Sequence, residues 1–447
     1  MGNGIKIGEV DSDSAIIWTR LTATPDRNTE GQLFPPSIPG NPNSVWPKTQ
    51  PNFPDLNSMQ GSLQGAHGEV RVHYWAEGSK NNTATSKWQT VYPKNDYTHQ
   101  LQLESLKSET HYKLLVEARN AQGPSSQLKG SFRTAPAANK PSDIRFVVTT
   151  CGDYPRRDDP INGHKIYPQM QALAPDFFVH TGDIEYYDNP APYAKNLELA
   201  RFKWNRIYSM PFLRTFHNQT ASYFMKDDHD TTCDDAWPGK DYFDLTWEQG
   251  LATFREQVPM GEKTYRTIRW GKDLQIWLVE GRDFRSANDM PDGPEKTIWG
   301  AEQKQWFYET VQASDATFKV LISPTPIVGP DRSNKNDNHA NEGFTHEGDE
   351  LRAFLAAQPN MTVICGDRHW QYASIDPTTG LREFSCGPAS DKHAAGYSEN
   401  QRKDMHRFLR IKGGFLSVDL DSTAQTLQFN HYAVDGSVVY HETFQAE

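Results

Sequence analysis

The chain has 447 residues, a formal net charge of −11 and an aromatic content of 12%, enough length and apolar surface for more than one folded unit. Such an acidic chain lacks the spread Lys and Arg of a general nucleic-acid or anionic-membrane surface, so an anion has to be held by metal ions or a few arginines. No run of about 18 apolar residues spans a bilayer, and no charged-then-apolar leader follows Met1-Gly2, so any secretory signal is expected to be absent or already removed.

From Gly4 to about Pro136 short alternating segments are separated by polar turns: "AIIWTRL", "GEVRVHYWAE", "WQTVYP", "HQLQLESL", "HYKLLVEARN" and "KGSFRTA". Period-two strands at this spacing, with no helical period among them, read as a β-sandwich of about residues 1–136. In "LESLKSETHYKLLVEA" Tyr112 stands six residues after Leu106 as a strand begins. That placement is similar to the tyrosine corner of immunoglobulin-like and fibronectin type III sandwiches, with Trp18 as the core tryptophan facing it. A Pro/Asn/Gln-rich stretch, about 24–66, has no usable period; its Phe34, Trp46 and Phe53 point to an ordered loop laid over a neighbouring surface.

"TAPAANKPSD" (Thr134 to Asp143) marks a boundary. From 143 to 447 apolar strands alternate with helical segments: "IRFVVTT", "HKIYPQMQALAP", "DFFVHTGD", "YAKNLELARFKWNRIYSMPFL", "SYFMKDD", "TWEQGLATFREQV", "LQIWLVEGRD", "GAEQKQWFYETVQASD", "FKVLISP", "GDELRAFLAAQ" and "MTVICGDRH". The alternation predicts an α/β domain with helices packed on its sheets. After Leu381 the pattern returns to strands, expected to close the last sheet antiparallel. The four cysteines, Cys151, Cys233, Cys365 and Cys386, are too few for a disulfide framework.

Four of the apolar strands end in chemistry-bearing clusters. "FVVTTCGDY" ends in Cys151 and Asp153; "FFVHTGDIEYYD" in Asp183 with Tyr186 three on; "YFMKDDHD" in Asp227, Asp228, His229 and Asp230; "VICGDRHW" in Asp367 and His369. A lone Gly-Asp after a strand is ordinarily a turn or a helix N-cap. Four at strand ends are another matter, because loops at the carboxyl ends of strands form the binding crevice of α/β folds. Carboxylates gathered there cannot all stay charged unless cations sit among them. Carboxylates and imidazoles with one thiol and one phenol suit hard or borderline metal ions, more than one in number. Side chains alternate in direction along an extended chain, so Asp228 and His229 are read as site residues and Asp227 and Asp230 as neighbours that orient them.

These motifs resemble the calcineurin-like metallophosphoesterases, and within them the PhoD-like alkaline phosphatase/phosphodiesterase branch. There Cys replaces the first Asp, Tyr follows Gly-Asp-x-x, Asp-Asp-His replaces Asn-His and Gly-Asp-x-His replaces the last motif. The resemblance covers nearly the whole chain and implies a metallophosphoesterase β-sandwich flanked by helices, preceded by a small immunoglobulin/fibronectin III-like β-sandwich. By that match the metal ligands are Cys151, Asp153, Asp183 (bridging), Tyr186 (on iron), Asp228, Asp367 and His369, with His229 as general acid. "EGRDFRS" matches an Arg pair, Arg282 and Arg285, that would grip a phosphoryl oxygen, and Gly300 to Trp306 matches a "G-x-E-Q-x-x-W" helix. Asp153 departs from the branch pattern, which often has an uncharged residue there. The branch implies Fe(III) with Ca(II); the wider superfamily uses Zn, Mn and Fe.

The expected activity is metal-dependent hydrolysis of phosphomonoesters, phosphodiesters or both at alkaline pH, through a metal-activated water or hydroxide. The resemblance further implies an exported monomer whose partner is a small-molecule or polymeric phosphate ester, without stable nucleic-acid binding. Two alternatives stay open: the same centre acting on a sulfate, phosphonate or phospholipid-type ester, and a non-catalytic carbohydrate- or surface-binding protein, to which the 12 Trp and the long aromatic loop are suited.

Overall fold

The structure, a computed structural model, describes residues 1–34 and 55–447. Two large sheets face each other. The first has nine strands in the order Val438–Gln445, Thr426–Ala433, Gly414–Asp421, Ile144–Thr149, Phe177–His180, Ala221–Phe224, Ile5–Gly8, Ala15–Arg20 and Thr98–Leu103. The second has seven: Arg266–Trp270, Leu274–Leu278, Phe318–Ser323, Met361–Cys365, Arg382–Cys386, Gln371–Ile375 and His406–Arg410. A five-stranded sheet built on Gly68–Ala76, His111–Asn120 and Gly123–Arg133 completes the amino-terminal sandwich.

Strand alternation divides the core into layers. Phe146, Phe177 and Val179 point between the two large sheets, where the Phe177 ring lies 4.7 Å from both Phe146 and Trp270. Val147 and Phe178, on the other face, pack under the helices Ile166–Ala172, Leu197–Ile207 and Pro211–His217. Trp277, Leu321 and Val363 do the same under Gly300–Gln312 and Thr345–Ala356. The central strands are buried on both faces, which is why they read as near-continuous apolar runs. Local signals set the helix starts: Asn196 accepts from the Leu199 N–H, and Thr246 with Gln249 forms a capping box before Trp247–Gln257.

Ile5–Gly8 pairs in parallel with Ala221–Phe224, and Ala15–Arg20 and Thr98–Leu103 follow it outward. The sheet that carries three of the four clusters therefore runs on into strands from before residue 136. Tyr112 makes the corner contact, its hydroxyl accepting from the Lys107 N–H at 2.9 Å. Trp18 does not face it. Ile17 and its alternates point into the sandwich core, so Trp18 points the other way, its indole N–H donating to the Glu256 carbonyl and its ring covered by the Lys6 ammonium at 3.5 Å. The described flanks of the long loop lie on the helical layer: Arg27 donates to the Ile161 carbonyl, Gln60 to the Tyr154 hydroxyl, and Phe34 packs edge-on against Phe202. Trp46 and Phe53 lie outside the described residues.

Candidate metal centre

Ile144–Thr149, Phe177–His180 and Ala221–Phe224 are parallel neighbours whose carboxyl ends share one edge of the first sheet, and the end of Met361–Cys365 meets them from the second. The Asp367 N–H donates to Thr150 Oγ1 at 3.2 Å, joining the sheets at that edge. The turns are tight. Cys151, Asp183 and Asp367 take φ of +49°, +56° and +59°, a region that costs non-glycine residues energy and concentrates at functional sites. At Gly182 a Cβ would come within 2.8 Å of the Asp227 backbone and Cβ, so only glycine lets the second and third loops approach this closely.

Six of the seven expected metal ligands come together, with His229 beside them. Tyr186 donates to Asp183 Oδ2 at 3.1 Å and its hydroxyl lies 3.0 Å from His369 Nε2; Cys151 Sγ is 3.6 Å from the same Asp183 oxygen. Ligand atoms of Cys151, Asp183 and His369 lie within 4.8 Å of one another, as do those of Asp183, Asp228 and His229, and of Asp183, Asp227 and Asp367. Asp227 is thus drawn into the cluster together with Asp228. Asp183 Oδ1, Asp227 Oδ2 and Asp228 Oδ1 are buried and accept no hydrogen bond among the described residues.

Burial, then the Asp228 charge, pushes the Asp183 carboxyl well above its ordinary value. Burial and the Asp183 charge do the same to the Cys151 thiol and the Tyr186 phenol. Orphaned carboxylate oxygens beside a thiol and a phenol that resist ionisation are what a cation reverses, by holding the ligands in their anionic forms. The residues present therefore fit metal ions.

Burial would lower the His229 pKa, but Asp188 and Asp228 outweigh it and hold it well above the ordinary value. Its Nδ1 lies 2.6 Å from Asp188 Oδ1 and its ring 4.2 Å from that of Tyr186. Asp230 is a brace, its two oxygens accepting from the N–H groups of Asp227 (2.7 Å) and Ile184 (3.0 Å).

Two expected residues stand elsewhere. Asp153 belongs to none of the candidate groups among the described residues. Its φ of +79° turns it toward Glu185, Lys203 and Arg206, and Arg156 lies 3.4 Å away. Arg285 gives its Nη2 to the protein, donating to the Asp337 carbonyl at 2.6 Å and to Asn288 Oδ1 at 2.8 Å, while its buried Nε makes no hydrogen bond among the described residues. Arg282 does face the cluster, with Nε 2.5 Å from Asp227 Oδ1 and Nη2 3.6 Å from Asp228 Oδ1. The expected "G-x-E-Q-x-x-W" helix steadies that loop, since Gln303 bonds both the N–H and the carbonyl of Glu280.

Sequence reasoning missed Asp188, Arg156, His393 and Arg368. Asp188 lies at the end of the quoted Gly-Asp motif, five residues past Asp183, and was readable there as a partner for a nearby histidine. His393 comes from the short turn Asp391–His393, far from any strand-end signal. Arg368 pairs with both Asp331 and Asp367.

Residues 146–422 match the PhoD-like phosphatase family and residues 1–136 match the PhoD-like phosphatase N-terminal domain. No curated protein matches the chain. Among solved structures, one described as "Structure of PhoD" superposes with a TM-score of 0.74 at 16% identity, covering 100% of this chain and 90% of its own. The purple acid phosphatase PPD1 from yellow lupin (Lupinus luteus) seeds superposes with a TM-score of 0.67 at 12% identity, covering 99% of this chain and 74% of its own. At those identities the superpositions speak for a shared fold, while the family match extends over more than half of the chain. On that match the chain belongs to the PhoD-like phosphatase family and is a phosphoesterase.

Proposed function

We propose that the chain hydrolyses phosphoric monoesters, diesters or both at the acidic centre, with metal ions held by Cys151, Asp183, Tyr186, Asp228, Asp367 and His369. The observation that carries this reading is the convergence of three buried carboxylate oxygens, on Asp183, Asp227 and Asp228, that accept no hydrogen bond among the described residues. The donors differ across the centre. Thiol, phenol and imidazole beside Asp183 suit Fe(III); the oxygen-only side, Asp227, Asp228 and Asp367, suits Ca(II), with Zn or Mn as alternatives. When bound, such cations supply charge against phosphoryl oxygens and bring the pKa of water toward neutrality.

The chain's own groups do the rest. Asp188 fixes the His229 ring through Nδ1 and leaves Nε2 on the open side, 3.6 Å from Asp234 Oδ1, suited to give a proton to the leaving oxygen. Arg282 Nη2, buried and 3.6 Å from Asp228 Oδ1, makes no hydrogen bond among the described residues and is suited to a phosphoryl oxygen beside Asp228. The substrate is a small-molecule or polymeric phosphate ester. Export is proposed on the resemblance; no helix among the described residues is long and apolar enough to cross a membrane.

The test joins elemental analysis with turnover of an aryl phosphate, a bis-aryl phosphate and an aryl sulfate. Asp183→Asn and His369→Ala are expected to lose bound metal and phosphate-ester hydrolysis together. Full metal content with full activity in both variants overturns the reading, and a preference for the sulfate moves the centre to another ester.

A further inference from the structure

Arg156 and His393 form a pair at the rim of the centre that hydrolysis as described above leaves without a role. His393 Nδ1 lies 3.2 Å from the Cys151 carbonyl, which can only accept, so Nδ1 carries the ring proton. Nε2 then keeps its lone pair and accepts from Arg156 Nη1 at 2.6 Å. The ring is packed between those of His369 (4.4 Å) and Tyr186 (4.9 Å), so it cannot turn to offer Arg156 the other nitrogen.

The guanidinium so held lies 5.2 Å from the centre of the Tyr186 ring, whose hydroxyl reaches Asp183 and His369. Both of its polar contacts, to His393 and to Asp153 Oδ2 at 3.4 Å, use Nη1. Nε and Nη2 make no hydrogen bond among the described residues, and the side chain is 24% exposed. Those two N–H groups form the side edge of the guanidinium, which matches two oxygens of one phosphoryl group.

We propose that Arg156 contacts the substrate phosphoryl group and favours dianionic monoesters over monoanionic diesters, with His393 as the positioning residue that aims it. The proposal rests on the hydrolytic reading and names its substrate class. A monoester near neutral pH carries about one more negative charge than a diester. It also offers a non-bridging oxygen that a diester has esterified, so loss of the fork costs the monoester more.

The test uses metal-loaded full-length protein. Arg156→Met is expected to raise the monoester KM and the dissociation constant of inorganic phosphate about 10- to 100-fold, as for loss of a charge-assisted hydrogen bond. The bis-aryl phosphate KM is expected to shift several-fold less, and metal content to match wild type. Arg156→Lys, which keeps charge without the fork, falls between, and His393→Ala shifts the same constants in the same direction by less. Equal shifts for monoester and diester overturn the proposal. So does a loss of metal or folding with unchanged phosphate affinity, which makes Arg156 only the counter-ion of Asp153. If the wild type cleaves neither ester, the hydrolytic reading fails on its own. The phosphate titration then still decides the anion contact, since equal affinity in wild type and Arg156→Met removes it.

Discussion

Asp230 offers the sharpest test of how the centre is built. Its buried carboxylate takes the Asp227 N–H on one oxygen and the Ile184 N–H on the other, tying the loop that carries Asp183 to the one that carries Asp228. In Asp230→Asn one oxygen becomes an amide NH2, which faces a backbone N–H donor to donor. One buried N–H is then left unsatisfied, a cost of about 1–3 kcal/mol; Asp230→Ala orphans both, roughly doubling it. Strain of that size on the two ligand loops corresponds to about 10- to 100-fold weaker metal binding, the range for residues that orient ligands from behind. Burial pushes the Asp230 pKa up to about 8 against the pull of the two N–H groups, so the comparison belongs at about pH 9, where the carboxylate is ionised. Chelator competition gives the metal affinity and thermal unfolding the stability. If Asp230→Asn matches wild type within twofold in affinity and about 1 °C in Tm, the two loops are not held through this carboxylate.

Two more outcomes follow from the charges. Burial pushes the Asp227 pKa up to about 6 against the pull of Arg282, and burial with the Asp337 charge takes Asp235 to about 6. With Asp230 at about 8, these folded-state values exceed the unfolded ones, so these three carboxyls hold more protons in the folded chain from about pH 4 upward, whereas the buried His164 and His431, pushed down to about 4 by burial, hold fewer. Chelated wild type should therefore lose stability relative to Asp227→Asn as pH rises from about 4 to 7, by up to about 3 kcal/mol. A difference between the two under chelation that stays constant across that range contradicts this. Arg285→Met should destabilise the fold by about 2–3 kcal/mol by stranding the Asp337 carbonyl and Asn288, as followed by urea unfolding; an unchanged midpoint would return Arg285 to the list of substrate contacts.

What the sequence made legible was whatever a single segment encodes. Strands such as Phe177–His180 and Met361–Cys365, the helix Trp247–Gln257 with its capping box, and the acidic strand ends were all readable, because period and terminal residue types are local properties. Partnership is not local. The pattern of Ile5–Gly8 is equally compatible with a separate sandwich and with a parallel seat beside Ala221–Phe224. Trp18 was assigned to the wrong face because alternation says that neighbours diverge, not which of them points inward. Asp153 and Arg285 fail for a related reason: motif spacing puts a residue near a site, but the turn decides where its side chain goes. His393 enters through packing alone.

The distribution of protein cations shows which carboxylates the chain itself leaves without a countercharge. Arg282 takes Asp227, Arg368 takes Asp367, and Lys335 takes Asp235 at 2.7 Å, so the outer carboxylates of the third and fourth loops already have partners. Asp183 forms no ion pair among the described residues, yet it belongs to three of the four candidate ligand groups and has one oxygen wholly unpartnered. In a low-dielectric pocket that charge is tolerable only with a countercharge in contact or a proton. Arg282, Arg368 and Lys335 each neutralise a carboxylate and hold its loop. Arg156 stands at the rim over Tyr186, paired with Asp153 through Nη1 and with its side edge uncommitted. With cations held at Asp183 as proposed, an arriving phosphate would meet positive charge from that side and Arg156 from another. That geometry favours the ester with more charge to share between them.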